Sequence, residues 1–205
     1  MAYKMLEEQY SHLERLRHDM KNHIIALSGL LENKDYKKMD EYLRNMEHGG
    51  NLEGSEEITG NTAVDTILSH KKKQAEAKNI AWECSVHIPG TCCINEFDLC
   101  VLFGNLLDNA IEACENLPPN SDKDKYINIQ AGTVKKCFLL EVNNPTDASS
   151  GQVIGATSKK TPGKHGIGLL NISDVVESYN GVTDISIKDG IFTISILIPL
   201  RDVSM

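Results

Sequence analysis

A histidine followed directly by an acid is the first of three groups of residues whose types and spacing could do chemistry. It lies in the segment Arg17 to His23, RHDMKNH, where Asp19 follows His18 and Asn22 lies four residues beyond the histidine. On a helix, His18 and Asn22 share one face, and the Asp19 carboxylate can reach the imidazole. A histidine that accepts a phosphoryl group needs one ring nitrogen free to attack and the other held by an acceptor. The segment fits that chemistry, and it also fits an ordinary solvated helix face.

The second group is a polar stripe on an apolar helix. Within NLLDNAIEACE, Asn105 and Asn109 are four residues apart, and so are Asp108 and Glu112. Amides and carboxylates that face inward from such a helix are costly to bury unless they have partners. Mg²⁺ together with phosphate oxygens would supply those partners. The stripe therefore predicts a ligand site, and the alternative is a capped helix with an ordinary polar face.

The third group is a set of glycines before an apolar helix, in PGKHGIGLLNI. Gly163, Gly166 and Gly168 carry no Cβ, so backbone N–H groups and the positive end of the helix could face a polyphosphate closely. Lys159 and Lys160, with the nearby Lys164, add positive charge to a chain that is otherwise acidic. Glycine pairs before helices are frequent, so this group alone is weak evidence for a lid over a triphosphate.

Two N-terminal helices would position the first group. Apolar residues at heptad steps predict a long helix from Tyr3 to Leu31, a turn at residues 32–35 and a shorter helix over residues 36–46. The two helices are expected to fold into an antiparallel hairpin, which is too thin to bury its own apolar stripe. Two copies from two chains would make a four-helix bundle. The N-terminal region therefore predicts a homodimer.

A Gly-rich acidic stretch, residues 49–60, predicts a linker that divides the chain into domains at residues 1–58 and 59–205. Thr62 with Asp65 and Asn95 with Asp98 are predicted to cap the first two helices of the second domain. Its predicted elements are helices at 62–79, 97–117 and 169–179 and strands at 80–88, 126–131, 137–142, 184–188 and 191–198. Three helices and about five strands predict an α+β two-layer sandwich.

Composition narrows the classes of function. The formal net charge of −8 argues against broad nucleic-acid binding, which needs a basic face. The sequence has no long apolar run and no N-terminal signal stretch, so the chain is expected to be cytoplasmic, with any sensing and membrane segments upstream of Met1. Six cysteines without C-x-x-C spacing are expected to be reduced and mostly buried, and they predict neither a zinc site nor a disulfide framework.

In this order, the three groups resemble the motifs of sensor histidine kinases, and most closely those of the branch that contains the peptide-quorum-sensing receptor kinases. RHDMKNH looks like the phosphoacceptor box, NLLDNAIEA like the Mg-binding Asn box and GKHGIGL like the second glycine box. The resemblance runs from about Leu13 to Leu200. It implies a dimeric four-helix bundle followed by a Bergerat-type (GHKL) domain that binds ATP, with Asn109 and Asn105 holding Mg²⁺.

The resemblance also implies an activity: autophosphorylation of His18 from ATP, then transfer of the phosphoryl group to an aspartate of a response regulator. The pattern His18-Asp19-x-x-Asn22 is similar to that of kinases that also dephosphorylate their regulators. One segment departs from the family. After the strand predicted to end at Val142, the sequence has Asn144 where most such kinases carry the adenine-recognising carboxylate of an Asp-x-Gly-x-Gly box.

Two other classes of function share part of the pattern. A Bergerat-fold ATPase or an anti-sigma-type serine kinase would share the Asn and glycine boxes, but it has no use for the histidine-bearing hairpin in the first 48 residues. A non-catalytic dimeric scaffold would be consistent with the carboxylate lost at Asn144. The intact Asn105, Asn109, Gly166 and Gly168 argue against a decayed nucleotide site.

Overall fold

The computed structural model describes residues 2–46, 59–90, 92–118, 124–147 and 167–200. The chain divides into two compact units, Met1–Glu53 and Gly54–Met205. The predicted linker at residues 49–60 lies outside the described residues apart from its last two positions. Within the described ranges, no helix combines the length and the apolar character needed to span a membrane.

The first unit contains helices α1 (Ala2–Glu32) and α2 (Tyr36–Met46). Lys34 in the turn between them has a φ of 56°. At the start of α2, Asp35 accepts a hydrogen bond from the Lys38 backbone N–H at 3.2 Å. The Lys38 ammonium, followed by that N–H, lowers the pKa of Asp35. The helices agree with the heptad pattern, while their assembly into a dimeric four-helix bundle stays a prediction.

The second unit is an α+β fold built on a mixed five-stranded sheet. Its strands are β1 (Ala81–Val86), β2 (Tyr126–Val134), β3 (Cys137–Pro145), β4 (Val182–Lys188) and β5 (Ile191–Pro199), and its helices are α3 (Thr62–Ala77), α4 (Glu96–Glu115) and α5 (Ile167–Ser178). The strand order is β1-β2-β3-β5-β4. Strands β1 and β2 are parallel, and the other neighbours are antiparallel. The α+β class predicted from the sequence is confirmed for this unit.

Alternation along the strands explains why this sheet has one apolar face. In β3, Phe138, Leu140 and Val142 are buried, because successive strand residues point to opposite faces. The buried residues of α4, such as Leu102 and Phe103, belong to the same core. On the other face, polar side chains of β3 and β5 bond to one another: Thr193 donates to Asn143 at 2.7 Å, and Ser195 donates to Glu141 at 2.7 Å. One face of the sheet is therefore committed to the core.

Helix and strand ends show where local sequence signals held and where they did not. Asn95 is the N-cap of α4 as predicted, since its side chain accepts from the Asp98 N–H at 2.8 Å. The N-cap of α3 is Asn61 and not the predicted Thr62. The Asp65 carboxylate does not complete a capping box and instead accepts from the Thr59 N–H at 2.9 Å. Asn61 precedes Thr62 with an equally good capping side chain, so the prediction was displaced by one residue.

The predicted end of β3 and the predicted burial of the cysteines were wrong. Strand β3 continues past Val142 to Pro145, because pairing with β5 extends to the register pair Pro145 and Ile191. All six cysteines are free thiols, but Cys114 is the one that is buried, and Cys84 is exposed. Burial raises the pKa of Cys114 to about 11. The remaining four, Cys92, Cys93, Cys100 and Cys137, are half buried.

Candidate functional site

The polar stripe of α4 lies on the part of the helix between α3 and α5. Asn105 and Asn109 are half buried, and Asp108 is exposed. The Asn105 Nδ2 donates to the Val101 backbone oxygen at 2.7 Å, which ties this side of the amide to the preceding turn of its own helix. The Asn105 Oδ1 is then the atom of this side chain that faces α5.

Gly168, in the first turn of α5, lies against both asparagines. A Cβ at this position would lie 3.2 Å from Asn105 Oδ1 and 3.4 Å from Asn109 Oδ1. Two amide oxygens therefore converge beside a backbone that has no side chain to cover them. Hard oxygen donors of this kind suit Mg²⁺, which commonly completes its coordination with water and phosphate oxygens. The donor set fits such an ion, and the missing Cβ at Gly168 lets the α5 backbone approach the amides. Among the described residues, no group of three or more His, Cys, Asp or Glu forms a metal cluster.

Four other predicted site residues cannot be placed. Lys159, Lys160, Gly163 and Gly166 lie outside the described residues. Among the described residues, the structure brings together Asn105, Asn109 and Gly168, whereas the lid that the sequence predicts lies outside the described residues.

Helix α5 is held to α4 by a tyrosine at its far end. The Tyr179 hydroxyl accepts from the Asn95 backbone N–H at 3.1 Å and donates to Asp98 Oδ2 at 2.7 Å. Burial is the largest cause that raises the pKa of Tyr179. Since Tyr179 lies at the α4 N-terminus while Gly168 lies at Asn105 and Asn109, the two helices run antiparallel. This clasp helps fix the register that sets Gly168 beside the amides, and no local sequence signal identifies it.

Helix α3 contacts the other side of the stripe through an ion pair. The Lys71 Nζ lies 2.5 Å from Asp108 Oδ1, and the Lys71 side chain is only 15% exposed whereas that of Asp108 is 63% exposed. A second pair joins the same helices farther along, with Lys78 Nζ 2.8 Å from Glu115 Oε2. Sequence reasoning missed Lys71. Its one signal is its place in a run of three lysines, which does not say which lysine faces α4.

Asn144 is 2% exposed, near the end of β3. It lies on the same side of the strand as the buried Leu140 and Val142, so it belongs to the layer between the sheet and the helices. Its Nδ2 donates to the Pro145 backbone oxygen at 3.0 Å. An amide at this depth can offer both a donor and an acceptor to a heterocycle edge, which a carboxylate alone cannot.

His18 is the candidate chemical group of the first unit. Its side chain is 73% exposed, and its Nδ1 lies 3.6 Å from Asp19 Oδ1 and 3.3 Å from Asn22 Nδ2. A proton on Nδ1 would pair with Asp19 and leave the Nε2 lone pair open to solvent. The opposite tautomer would accept at Nδ1 from Asn22. Both neighbours therefore act on one ring nitrogen and leave the other accessible.

Comparisons with known proteins agree with this fold. The GHKL domain family matches residues 94–199. The Acinetobacter baumannii histidine kinase AdeS has a TM-score of 0.52 at 14% identity, covering 90% of this chain and 98% of that one. The catalytic domain of histidine kinase ThkA has a TM-score of 0.51 at 14% identity, covering 69% of this chain and 94% of that one. At these identities the likeness is one of fold. No curated sequence matches the chain.

Proposed function

This chain belongs to the GHKL domain family, and on that premise we propose that it is an ATP-dependent protein-histidine kinase of a two-component system. In this proposal, it transfers the γ-phosphoryl group of ATP to its own His18 and then to an aspartate of a response regulator. Residues 1–58, which include the first unit, act as the homodimeric phosphotransfer domain, and residues 59–205 act as the catalytic domain.

The environment of His18 is the observation that carries the proposal. With a proton on Nδ1 paired to Asp19, the Nε2 lone pair is free to attack the γ-phosphorus. The N–P bond forms as the P–O bond to ADP breaks, and ADP leaves. The carboxylate then lies near the imidazole as positive charge develops on the ring. An ATPase without a protein acceptor needs no such group, so His18 favours the kinase over the other GHKL activities.

On the nucleotide side, the proposed ligands of Mg²⁺ are Asn109 and Asn105, through the amide oxygens beside Gly168. When bound, the ion would neutralise phosphate charge and polarise the transferred group. Lys159, Lys160, Gly163 and Gly166 are proposed to cover the triphosphate, and Asn144 is proposed to recognise adenine. Asp108 lines the same site.

The Asn143-Asn144-Pro145 segment supports assignment to the peptide-quorum-sensing branch, because it replaces the usual carboxylate with an amide. On that assignment the chain is the cytoplasmic portion of a membrane-anchored receptor. Its macromolecular partners would be a second copy of itself and a receiver domain, with no direct contact to nucleic acid.

The test is an incubation with γ-labelled ATP. Wild-type protein should acquire label that is labile in acid and stable in base, because a phosphoramidate behaves in this way and a phosphoserine does not. His18→Gln should abolish labelling and leave ATP binding near normal, since the proposed nucleotide site consists of residues of the second unit. His23→Gln is the matched control, because His23 lies on the same helix with Nδ1 held 2.9 Å from the Tyr42 hydroxyl. Labelling retained in His18→Gln, or ATP hydrolysed without any label on protein, would refute the proposal.

A further inference from the structure

The ion pair between Lys71 and Asp108 lies at the edge of the proposed nucleotide site. The carboxylate of Asp108 lies on the polar stripe, next in sequence to Asn109 and one helical turn from Asn105. Residues three apart on a helix have Cβ atoms about 5–6 Å apart. A triphosphate held at the two amide oxygens would therefore approach a negative carboxylate. Unless that charge is balanced, it opposes the binding of any polyanion.

Lys71 is placed to balance it. Its Nζ lies 2.5 Å from Asp108 Oδ1, and its side chain is 15% exposed, so the ammonium is held between α3 and α4 instead of extending into water. Gln74 lies 3.4 Å from the same Nζ and is itself 2.9 Å from a His70 ring nitrogen. The neighbouring Lys72 is 55% exposed and pairs along its own helix with Glu76 at 3.9 Å. Lys71 is thus the more buried of these two lysines, and its partner lies on α4.

We propose that Lys71 is a positioning residue for the nucleotide site, which acts by cancelling the charge of Asp108 and so permits a triphosphate to bind beside Asn105 and Asn109. The inference rests on the proposed function and adds to it a residue from α3, outside the three sequence motifs. Lys71 touches Asp108 and not the nucleotide. Its effect is therefore electrostatic, and it should scale with the charge of the ligand.

The same helix pair offers a control. Lys78 and Glu115 form an ion pair at 2.8 Å between α3 and α4, and Glu115 lies six residues beyond Asn109. Lys78→Met therefore removes one positive charge and one bridge between the same two helices, as Lys71→Met does. The two variants differ in how far the lost charge lies from Asn105 and Asn109, and the proposal makes ATP affinity depend on that distance.

The experiment measures the affinity of the full chain for Mg·ATP, Mg·ADP and adenosine by calorimetry, with urea unfolding as a check that each variant is folded. Lys71→Met should weaken ATP binding roughly ten-fold, ADP binding less, and adenosine binding little. Lys71→Arg, which keeps the charge, should bind ATP more tightly than Lys71→Met. Adding Asp108→Asn to Lys71→Met removes both charges and should recover about three-fold or more of the lost affinity. Lys78→Met should change ATP binding less than about two-fold. Added salt should reduce the loss in Lys71→Met.

Each other outcome overturns the inference. Equal losses for ATP and adenosine would mean that Lys71 only supports the fold, and a double variant as weak as Lys71→Met would mean that the ammonium contacts phosphate directly. Wild-type affinity in Lys71→Met would mean that the pair has no influence on the site. If wild-type protein binds ATP but the variants give any of these contrary results, only the inference about Lys71 fails. A wild-type chain that binds no ATP contradicts the proposed function itself.

Discussion

The two units differ in how much of their surface each can bury by itself. In the second unit, β3, β5 and α4 share a core in which Phe103, Phe138 and Ile196 are fully covered. In the first unit, no side chain that the structure describes is buried, and Met20, Ile24 and Ile25 are each more than half exposed. Isolated helices are marginal in water unless tertiary packing covers their apolar face. We therefore expect the second unit to be self-sufficient, whereas the proposed dimer would cover the exposed apolar side chains of the first unit.

The largest effect is expected from separating the two units. A fragment of residues 54–205 should be monomeric, unfold cooperatively and retain Mg·ATP binding, but it should incorporate no phosphate. The full chain should be dimeric at micromolar concentration. Leu27→Glu should weaken that dimer because it places an unpaired charge in the apolar stripe that the proposed four-helix bundle buries. Light scattering coupled to size exclusion gives the masses. A monomeric full chain, or a fragment 54–205 without a cooperative transition, would reverse the comparison.

Within the self-sufficient unit, Gly181→Ala should have the next largest effect. An added Cβ would lie 2.8 Å from Val176 Cγ1, Ile198 Cγ1 and the Leu197 backbone oxygen, so α5 and β5 would have to separate. We expect the free energy of unfolding to fall by about 1–3 kcal/mol.

Gly132→Ala is the matched control for this change, because a Cβ at Gly132 has nothing within 4 Å. Its stability should stay within about 0.5 kcal/mol of wild type. Urea denaturation of the two variants measures the difference. Equal stabilities would show that the contact between α5 and β5 is looser than the packing indicates.

Gly168→Ala tests the site without altering the core. The added methyl group would crowd Asn105 Oδ1 at 3.2 Å, so Mg·ATP affinity should fall roughly ten-fold, about 1.4 kcal/mol. Gly104→Ala on α4 gains the same helix propensity and has nothing within 4 Å of the new Cβ, so its affinity should be unchanged. Titration of both variants with Mg·ATP measures this difference in affinity. Equal affinities would mean that the two amide oxygens do not hold the ligand.

Asn22→Ala, in the first unit, has the smallest expected effect. The amide lies 3.3 Å from His18 Nδ1 and could instead orient a water for attack on the regulator's aspartyl phosphate. Losing one neutral hydrogen bond, about 1 kcal/mol, should slow regulator dephosphorylation about five-fold while autophosphorylation largely remains. The decay of labelled regulator measures this rate. If the regulator decays equally with wild type, with the variant and with no kinase, the chain has no phosphatase activity.

Features set by a few neighbouring residues were predicted correctly from the sequence, whereas a strand end set by pairing with a distant strand was not. The strands predicted at 184–188 and 191–198 leave only Asp189 and Gly190 between them, and both residues have positive φ, of 52° and 72°, as a tight hairpin requires. The cap at Asn95 was likewise correct. The end of β3 was missed because Asn144 and Pro145 read as a turn in isolation, whereas pairing with Phe192 and Ile191 keeps them in the strand. Longer-range pairing thus overrode a local signal.

By itself, the sequence determined the elements and the candidate reactive groups: period and capping set the helices and strands, and residue type indicated where phosphate chemistry is to be sought. The tertiary structure decided which groups meet. Gly168 lies beside Asn105 across more than 60 residues of sequence, and Lys71 reaches Asp108 from 37 residues away. Periodicity describes which face of an element is apolar, but not which neighbour covers it. That choice follows from packing α3, α4 and α5 together on one face of the sheet.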